Sequence, residues 1–410
     1  MTAPGSVSAD DLDMLSWGFA QDPHGGYAAI REHGGVRRRV VKTLATELHA
    51  WVVTGYDDAR ALLADQRLSK DVELLRDIMQ ARAVRSGEPP ARTPRTMLFS
   101  DPPDHTRLRR LVGHAFTARR VETLRPWIEK STDDILDTVE PGVPFDLVER
   151  LAMALPIYVI GELLGVPQER HGDFRAWSTA LAGLDTTAEA KQAATRQAFT
   201  YLTELVGAKR DQPGDDMLSA LIQAREEDGT RLDQPELLSM VFLLMNAGYE
   251  TTASLIGSGT YTLLRAPDQL RLLRDNPGLV PGAVEELLRY ESPLNLSTLR
   301  CTTAPVTLGD VTIPEGEIVF IALLAANRDS ARFPDADRLD VTRPAQGHLS
   351  FGHGIHHCIG APLARLEGEI VFGKLLERFP HWELAVPEDE LVWKFSAQFR
   401  ALERLPVRMS

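Results

Sequence analysis

Phe351-Gly-His-Gly-Ile-His-His-Cys-Ile-Gly360 is the stretch on which the reading of this chain turns. Glycines at 352, 354 and 360 imply a tight loop whose backbone approaches something flat or bulky. The next residues, Ala361-Pro-Leu-Ala-Arg-Leu-Glu367, open a helix, and apolar spacing predicts it across Leu363–Phe379. Cys358 therefore sits just ahead of a helix N-terminus, where the positive end of the dipole favours the thiolate. A thiolate is the form that ligates iron. Two other readings exist for the same residues. A cysteine in a Gly-rich turn is often simply buried. Zinc could use His353, His356, His357 and Cys358, but four ligands crowded into neighbouring positions fit a tetrahedral site poorly.

Outward from this loop, helical periodicity dominates. It predicts helices over Val121–Val139, Leu147–Leu164, Ala193–Lys209, Glu236–Leu264 and Val284–Arg289. Strand signals are fewer. Trp51–Thr54 is β-branched, Val306–Leu308 and Val311–Ile313 flank a Gly309-Asp310 turn, Ile318–Leu323 reads as a strand, and the last 25 residues look strand-rich. The expected fold is mainly α, of the α+β kind: a helical body with small sheets. No linker or repeat divides residues 1–410, so a single domain is expected.

Composition narrows the function. The chain has 410 residues, 43% hydrophobic and 25% charged, enough for a large core. A net charge of −13 disfavours nucleic-acid and anionic-membrane binding. Two cysteines make no disulfide framework. Leu151–Val166 is too short and interrupted to span a bilayer, and the first residues carry no signal-like apolar run, so a cytoplasmic protein away from the membrane is expected.

Phe351, Gly354, Cys358 and Gly360 match F-x-x-G-x-x-x-C-x-G, and in this the chain resembles the cytochromes P450. Ala247-Gly-Tyr-Glu-Thr-Thr252 resembles that family's oxygen-activating motif, with a glycine and two threonines in mid-helix where propensity disfavours them. Glu286-Leu-Leu-Arg289, with Arg338, resembles its Glu–Arg–Arg network, although Leu339 stands where relatives usually carry Phe. Asp101-Pro-Pro-Asp-His105-Thr-Arg-Leu-Arg109 resembles the helix start that meets the cofactor's propionates.

The resemblance implies a single haem-thiolate fold around haem b (iron protoporphyrin IX), with Cys358 as the metal ligand. It implies Phe351, Gly352, Gly360, Ala247 and Gly248 around the haem, and His105, Arg109, Arg300 and His356 on its propionates. Glu250 and Thr251 become the acid–alcohol pair of a monooxygenase, and Glu286, Arg289 and Arg338 a structural network. Arg107, Arg110, Arg119 and Arg120 are left as solvated cations. The pocket is expected to include Phe99, Leu184, Met245, Leu294, Leu296 and Phe395, apolar enough for a bulky natural product, a macrolide or other polyketide before a steroid. No G-x-G-x-x-G fingerprint is present, so electrons are expected from a separate ferredoxin and its reductase, and a monomer is expected. A haem-binding sensor without turnover, or a relative performing dehydrogenation or oxidative coupling, are the alternatives.

Overall fold

The computed structural model describes residues 13–14, 16–42, 47–82, 95–182, 187–225 and 229–410. The elements run α1 (Trp17–Gln21), α2 (His24–Glu32), β1 (Val36–Lys42), β2 (Glu47–Val53), α3 (Tyr56–Ala64), β3 (Leu68–Ser69) and α4 (Val72–Arg82). Next come α5 (Asp104–Ala115), α6 (Ala118–Thr123), α7 (Arg125–Leu136), β4 (Phe145–Asp146), α8 (Ala154–Leu163), α9 (His171–Ala182), α10 (Ala188–Asp211) and α11 (Met217–Gln223). The second half holds α12 (Gln234–Ala247), α13 (Glu250–Leu264), α14 (Pro267–Asp275), α15 (Val280–Tyr290), β5 (Arg300–Thr302), β6 (Val306–Leu308), β7 (Val311–Ile313), β8 (Ile318–Ile321), α16 (Leu323–Ala326), α17 (Ala361–Arg378), β9 (Trp382–Leu384) and β10 (Pro406–Met409). The mainly helical fold with small sheets is as the periodicity predicts.

Two compact units make up the chain. The first comprises Met1–Thr93, Glu285–Cys358 and Val392–Glu403. Its five-stranded sheet has the order β1-β2-β8-β5-β3, antiparallel except where β2 runs parallel to β8 and pairs Ala50 with Ile318 and Val53 with Ile321. Strands this β-branched pack one face on a core of Val53, Leu62, Val319, Ile321 and Phe333. The β6–β7 hairpin turns at Gly309, whose φ of 54° is the left-handed conformation that the Gly-Asp turn predicts.

The second unit comprises Pro94–Val284, Ile359–Leu391 and Arg404–Ser410, and is helical apart from the sheet β4-β10-β9. α13 and α17 pack closely, since a Cβ on Gly368 would lie 3.2 Å from the Leu255 and Val284 side chains.

Three differences from the sequence reading have local causes. The helix expected at Leu147–Leu164 begins as a wide π turn at Val148–Ala152, and α8 starts afresh at Ala154, placing Pro156 in a first turn where proline is tolerated. Val121–Val139 is split between α6 and α7 at Leu124, with Pro126 opening α7. The tail is less strand-rich than its β-branched residues imply: β10 and isolated bridges of Trp393 with Leu402 and of Phe399 with Leu294 are its paired segments among the described residues.

Candidate active site

Cys358 is exposed and Cys301 is buried in β5. The bland reading of a buried cysteine thus fits Cys301, whose thiol points at the Ser69 carbonyl (3.8 Å), and not Cys358. The loop is shaped by backbone bonds: the Cys358 amide donates to the Phe351 carbonyl (2.8 Å) and the Gly352 amide to Leu349 (2.8 Å). Gly352 and Gly354 have φ of 72° and 74°. A Cβ on Gly354 would also lie 2.9 Å from the Leu63 carbonyl oxygen, so the close neighbour that demands glycine there is the end of α3. Gly360 is the N-cap of the 18-residue α17, which leaves the thiol two residues ahead of a long helix. The Phe351 ring lies between those of His348 (5.6 Å) and His357 (6.4 Å).

Histidines in the loop are not gathered for a metal. Among the described residues no three His, Cys, Asp or Glu side chains form a metal-binding group. Burial, reinforced by Arg60, lowers the His353 pKa. A single soft thiol, exposed on a pre-shaped loop ahead of a helix N-terminus, is the donor that would hold a haem iron. His356 lies half-buried in the same loop. Arg300 is buried in β5, its guanidinium 3.4 Å from the Thr298 carbonyl.

Behind the loop lies the glutamate–arginine network. Glu286 and Arg289 are fully buried on α15 and paired by two bonds, of 2.7 and 2.8 Å. Arg289 also donates to the Asn327 (2.9 Å) and Ala336 (2.8 Å) carbonyls. The third side chain is Arg343, whose Nε donates to Glu286 (3.2 Å), and not Arg338. Arg338 is exposed and contributes its carbonyl, which accepts from Arg289 and Arg343. The reason is a chain reversal: the Asp340 carboxylate accepts the Thr342 amide (3.0 Å), and this turn swings Arg343 back towards α15. The Asp-x-Thr turn is legible in the sequence, but nothing local says that it delivers Arg343 to Glu286, 57 residues away. Asn327 extends the network to the loop, donating to Ser350 (2.8 Å) and accepting the Leu349 amide (2.6 Å).

In the second unit, the long helix expected over Glu236–Leu264 is two helices, broken at Gly248-Tyr249. The Thr251 hydroxyl donates to the Ala247 carbonyl (3.0 Å), the group an unbroken helix would give to the Thr251 amide. Glu250, buried, and half-exposed Thr251 start α13. Burial chiefly raises the pKa of Tyr249 beside them, with the Glu250 charge reinforcing the rise and the nearby Thr179 side chain opposing it. Ala247 is exposed, whereas a Cβ on Gly248 would press on the Ile160 side chain of α8, so Gly248 gives that side chain room to pack.

His105 is buried and Arg109 half-buried one turn apart on α5. Arg107, expected to be solvated, is instead paired with Glu236, the N3 residue of a capping box at the start of α12. Phe99 is half-buried and Met245 fully buried in this unit. In the first unit Leu296 is buried, and Leu294 forms a bridge with Phe399 on the segment that carries Phe395. Leu184 lies outside the described residues.

A helical body, small sheets and an exposed thiol ahead of a long helix fit the architecture of a haem-thiolate oxidoreductase. The chain belongs to the cytochrome P450 family, whose model matches residues 164–397. It is 50% identical to cytochrome P450 107B1 of Saccharopolyspora erythraea over 97% of this chain and 98% of that one. It is 46% identical to the vitamin D(3) 25-hydroxylase of Pseudonocardia autotrophica, over 98% of each. The solved structure of the bacillaene polyketide synthase cytochrome P450 PksS from Bacillus subtilis 168 superposes with a TM-score of 0.88 at 38% identity, over 97% of this chain and 100% of that one. As a family member, the protein is a monooxygenase with a haem-iron cofactor that takes electrons from redox partners and acts on small molecules. No helix among the described residues is long and apolar enough to cross a membrane.

Proposed function

We propose that this chain works as one haem-thiolate domain, holding haem b through Cys358, and inserts oxygen into a bulky, largely apolar natural product. The observation that carries this reading is the exposed Cys358 on its pre-shaped loop ahead of α17. His105, Arg109, Arg300 and His356 are cations or hydrogen-bond donors suited to the haem's carboxylates. Phe351, Gly352, Gly360 and Ala247 complete the haem surround; Gly248 acts through packing. Bound haem supplies dioxygen activation, and one oxygen atom enters the substrate as a hydroxyl or epoxide. Thr251 already holds its hydroxyl proton on the Ala247 carbonyl, and buried Glu250 stands next to it as the acid. To relay a proton the Thr251 hydroxyl would release the Ala247 carbonyl and donate towards the substrate side, with Glu250 as the acid that resupplies it.

Phe99, Leu184, Met245, Leu294, Leu296 and Phe395 are the pocket contacts of this reading. A macrolide or other polyketide is the favoured substrate, in line with the polyketide-synthase P450 among the neighbours. A steroid-like substrate is second, favoured by the vitamin D(3) hydroxylase. The electron donors are a ferredoxin and its reductase, and the protein is a cytoplasmic monomer.

Reduced protein with carbon monoxide is expected to show the red-shifted Soret band of thiolate ligation, and Cys358→Ser to lose it. A wild-type protein without that band refutes the assignment. Thr251→Ala should keep the band while most electrons are lost to hydrogen peroxide, and Thr252→Ala should do less. Equal product per electron pair in wild type and Thr251→Ala would remove Thr251 from the proton path. A difference-spectrum screen of macrolides, steroids, terpenes and fatty acids tests the substrate class.

A further inference from the structure

Residues 392–403 return along the first unit as a hairpin. The Lys394 amide donates to Ala401 (2.8 Å) and the Glu403 amide to Val392 (2.9 Å). One side is fastened to residues 293–295: the Arg400 amide donates to Pro293 (2.9 Å) and the Asn295 amide to Gln398 (2.8 Å). The other side is fastened to α1, 372 residues away in sequence. Gln21 donates to the Trp393 carbonyl and accepts the Trp393 amide, both at 2.9 Å. Trp17 lies against the Phe395 ring, centroids 6.0 Å apart and planes at 28°. Trp17 is 54% exposed, and the face it turns to Phe395 is a stacked aromatic contact.

Arg400 joins these parts. Its Nε donates to Glu291 (2.6 Å) and its Nη1 to the Ala20 (2.9 Å) and Gln21 (3.1 Å) carbonyls at the end of α1. The guanidinium also stacks on Trp393 at 3.5 Å. Glu291 further faces Arg328 (3.6 Å) and His24 (3.3 Å). A planar guanidinium engaged on several fixed acceptors holds one geometry, as a lysine could not.

We infer that Arg400, with Gln21 and Trp17, is a positioning clamp through which the N-terminal helix sets the place of Phe395 and so takes part in substrate selection. The clamp rests on the reading of Phe395 as a substrate contact. Displacing such a contact by a fraction of an ångström is felt by a bulky ligand and not by a small one at the iron.

The test compares clotrimazole, an azole with a bulky apolar trityl group, with imidazole itself as iron ligands. Wild type, Trp17→Ala, Gln21→Ala, Arg400→Lys and Phe395→Ala are titrated spectroscopically. Each clamp variant is expected to keep the carbon monoxide band and to bind imidazole within about twofold, while clotrimazole affinity falls about tenfold, as in Phe395→Ala. Trp17→Ala combined with Phe395→Ala should be no worse than Phe395→Ala alone. If Phe395→Ala weakens clotrimazole and Trp17→Ala and Gln21→Ala do not, the clamp is refuted and the substrate contact survives. If Phe395→Ala binds clotrimazole as wild type does, the substrate contact and the clamp both fall. Should Arg400→Lys lose haem, Trp17→Ala and Gln21→Ala decide the matter, because Trp17 is largely exposed and Gln21 carries no charge.

Discussion

Glu291 in the first unit and Glu367 in the second are both buried glutamates, 6% and 1% exposed, in opposite electrostatic settings. Burial alone would raise the Glu291 pKa, but Arg400, His24 and Arg328 override it and hold the carboxyl well below the usual carboxylate range. Glu367 on α17 meets only burial, which pushes its pKa well up, and its Oε2 has no hydrogen-bond partner among the described residues. The first unit buries charge in pairs and ties loops together with it: Glu286–Arg289–Arg343 reaches the residues before the thiol loop, and Glu291–Arg400 reaches the termini. The second unit also buries a paired charge, Asp216 with Lys209, but it relies more on helix packing, and its buried threonines donate to their own helices, as Thr132 does to Ile128 and Thr260 to Ile256. A sheet with many crossing loops leaves carbonyls for arginines to collect, whereas helices satisfy their own backbone.

The sharpest way to break this contrast is to remove one member of a pair. Glu286→Ala should destabilise the protein by about 3–5 kcal/mol, because Arg289 keeps its burial and loses its counter-charge. Denaturant midpoints check it; a loss below about 1 kcal/mol would show the network to be dispensable.

Glu291→Gln should cost about as much at neutral pH. The sign with pH follows from the lowered pKa. The stabilisation by Glu291 is complete above the unfolded value of about 4.3 and is lost as pH falls below it towards the folded value. The gap between wild type and Glu291→Gln should therefore narrow in acid, and a gap independent of pH from 7 to 3 would contradict the assignment.

A smaller effect distinguishes the two arginines. Arg343→Ala should cost about 1–3 kcal/mol, since it removes a charge-assisted bond to buried Glu286 and the bonds to the Pro334, Asp335 and Arg338 carbonyls, and Arg338→Ala should stay within about 0.5 kcal/mol. Equal losses in the two variants would restore Arg338 to the network.

Glu367→Gln should have the opposite sign. A raised carboxyl pKa favours folding below the unfolded value of about 4.3 and withdraws that support as pH climbs towards the folded value. The variant should thus equal wild type in acid and exceed it at neutral pH. Thermal melts from pH 4 to 8 measure this, and a variant less stable than wild type at pH 7 would mean that Glu367 has a polar partner.

What the sequence by itself determined was local. Gly352, Gly354 and Cys358 could be read because a positive φ and a thiol ahead of a helix are properties of neighbouring residues. The Gly309 turn and most helices are of the same kind. Propensity also marked Ala247–Thr252 as irregular, and the break at Gly248-Tyr249 lies there. Tertiary structure decided the rest. Arg338 and Arg343 are equally charged and five residues apart, and only the turn at Asp340 chooses which one reaches Glu286. Arg107 looked like any surface cation until α12 brought Glu236 to it. Gln21 and Trp393 meet across 372 residues, and no periodicity encodes that. A side chain's conformation answers to its neighbours in the chain, whereas the partner of a buried charge is set by whatever backbone and counter-charge the fold delivers to it.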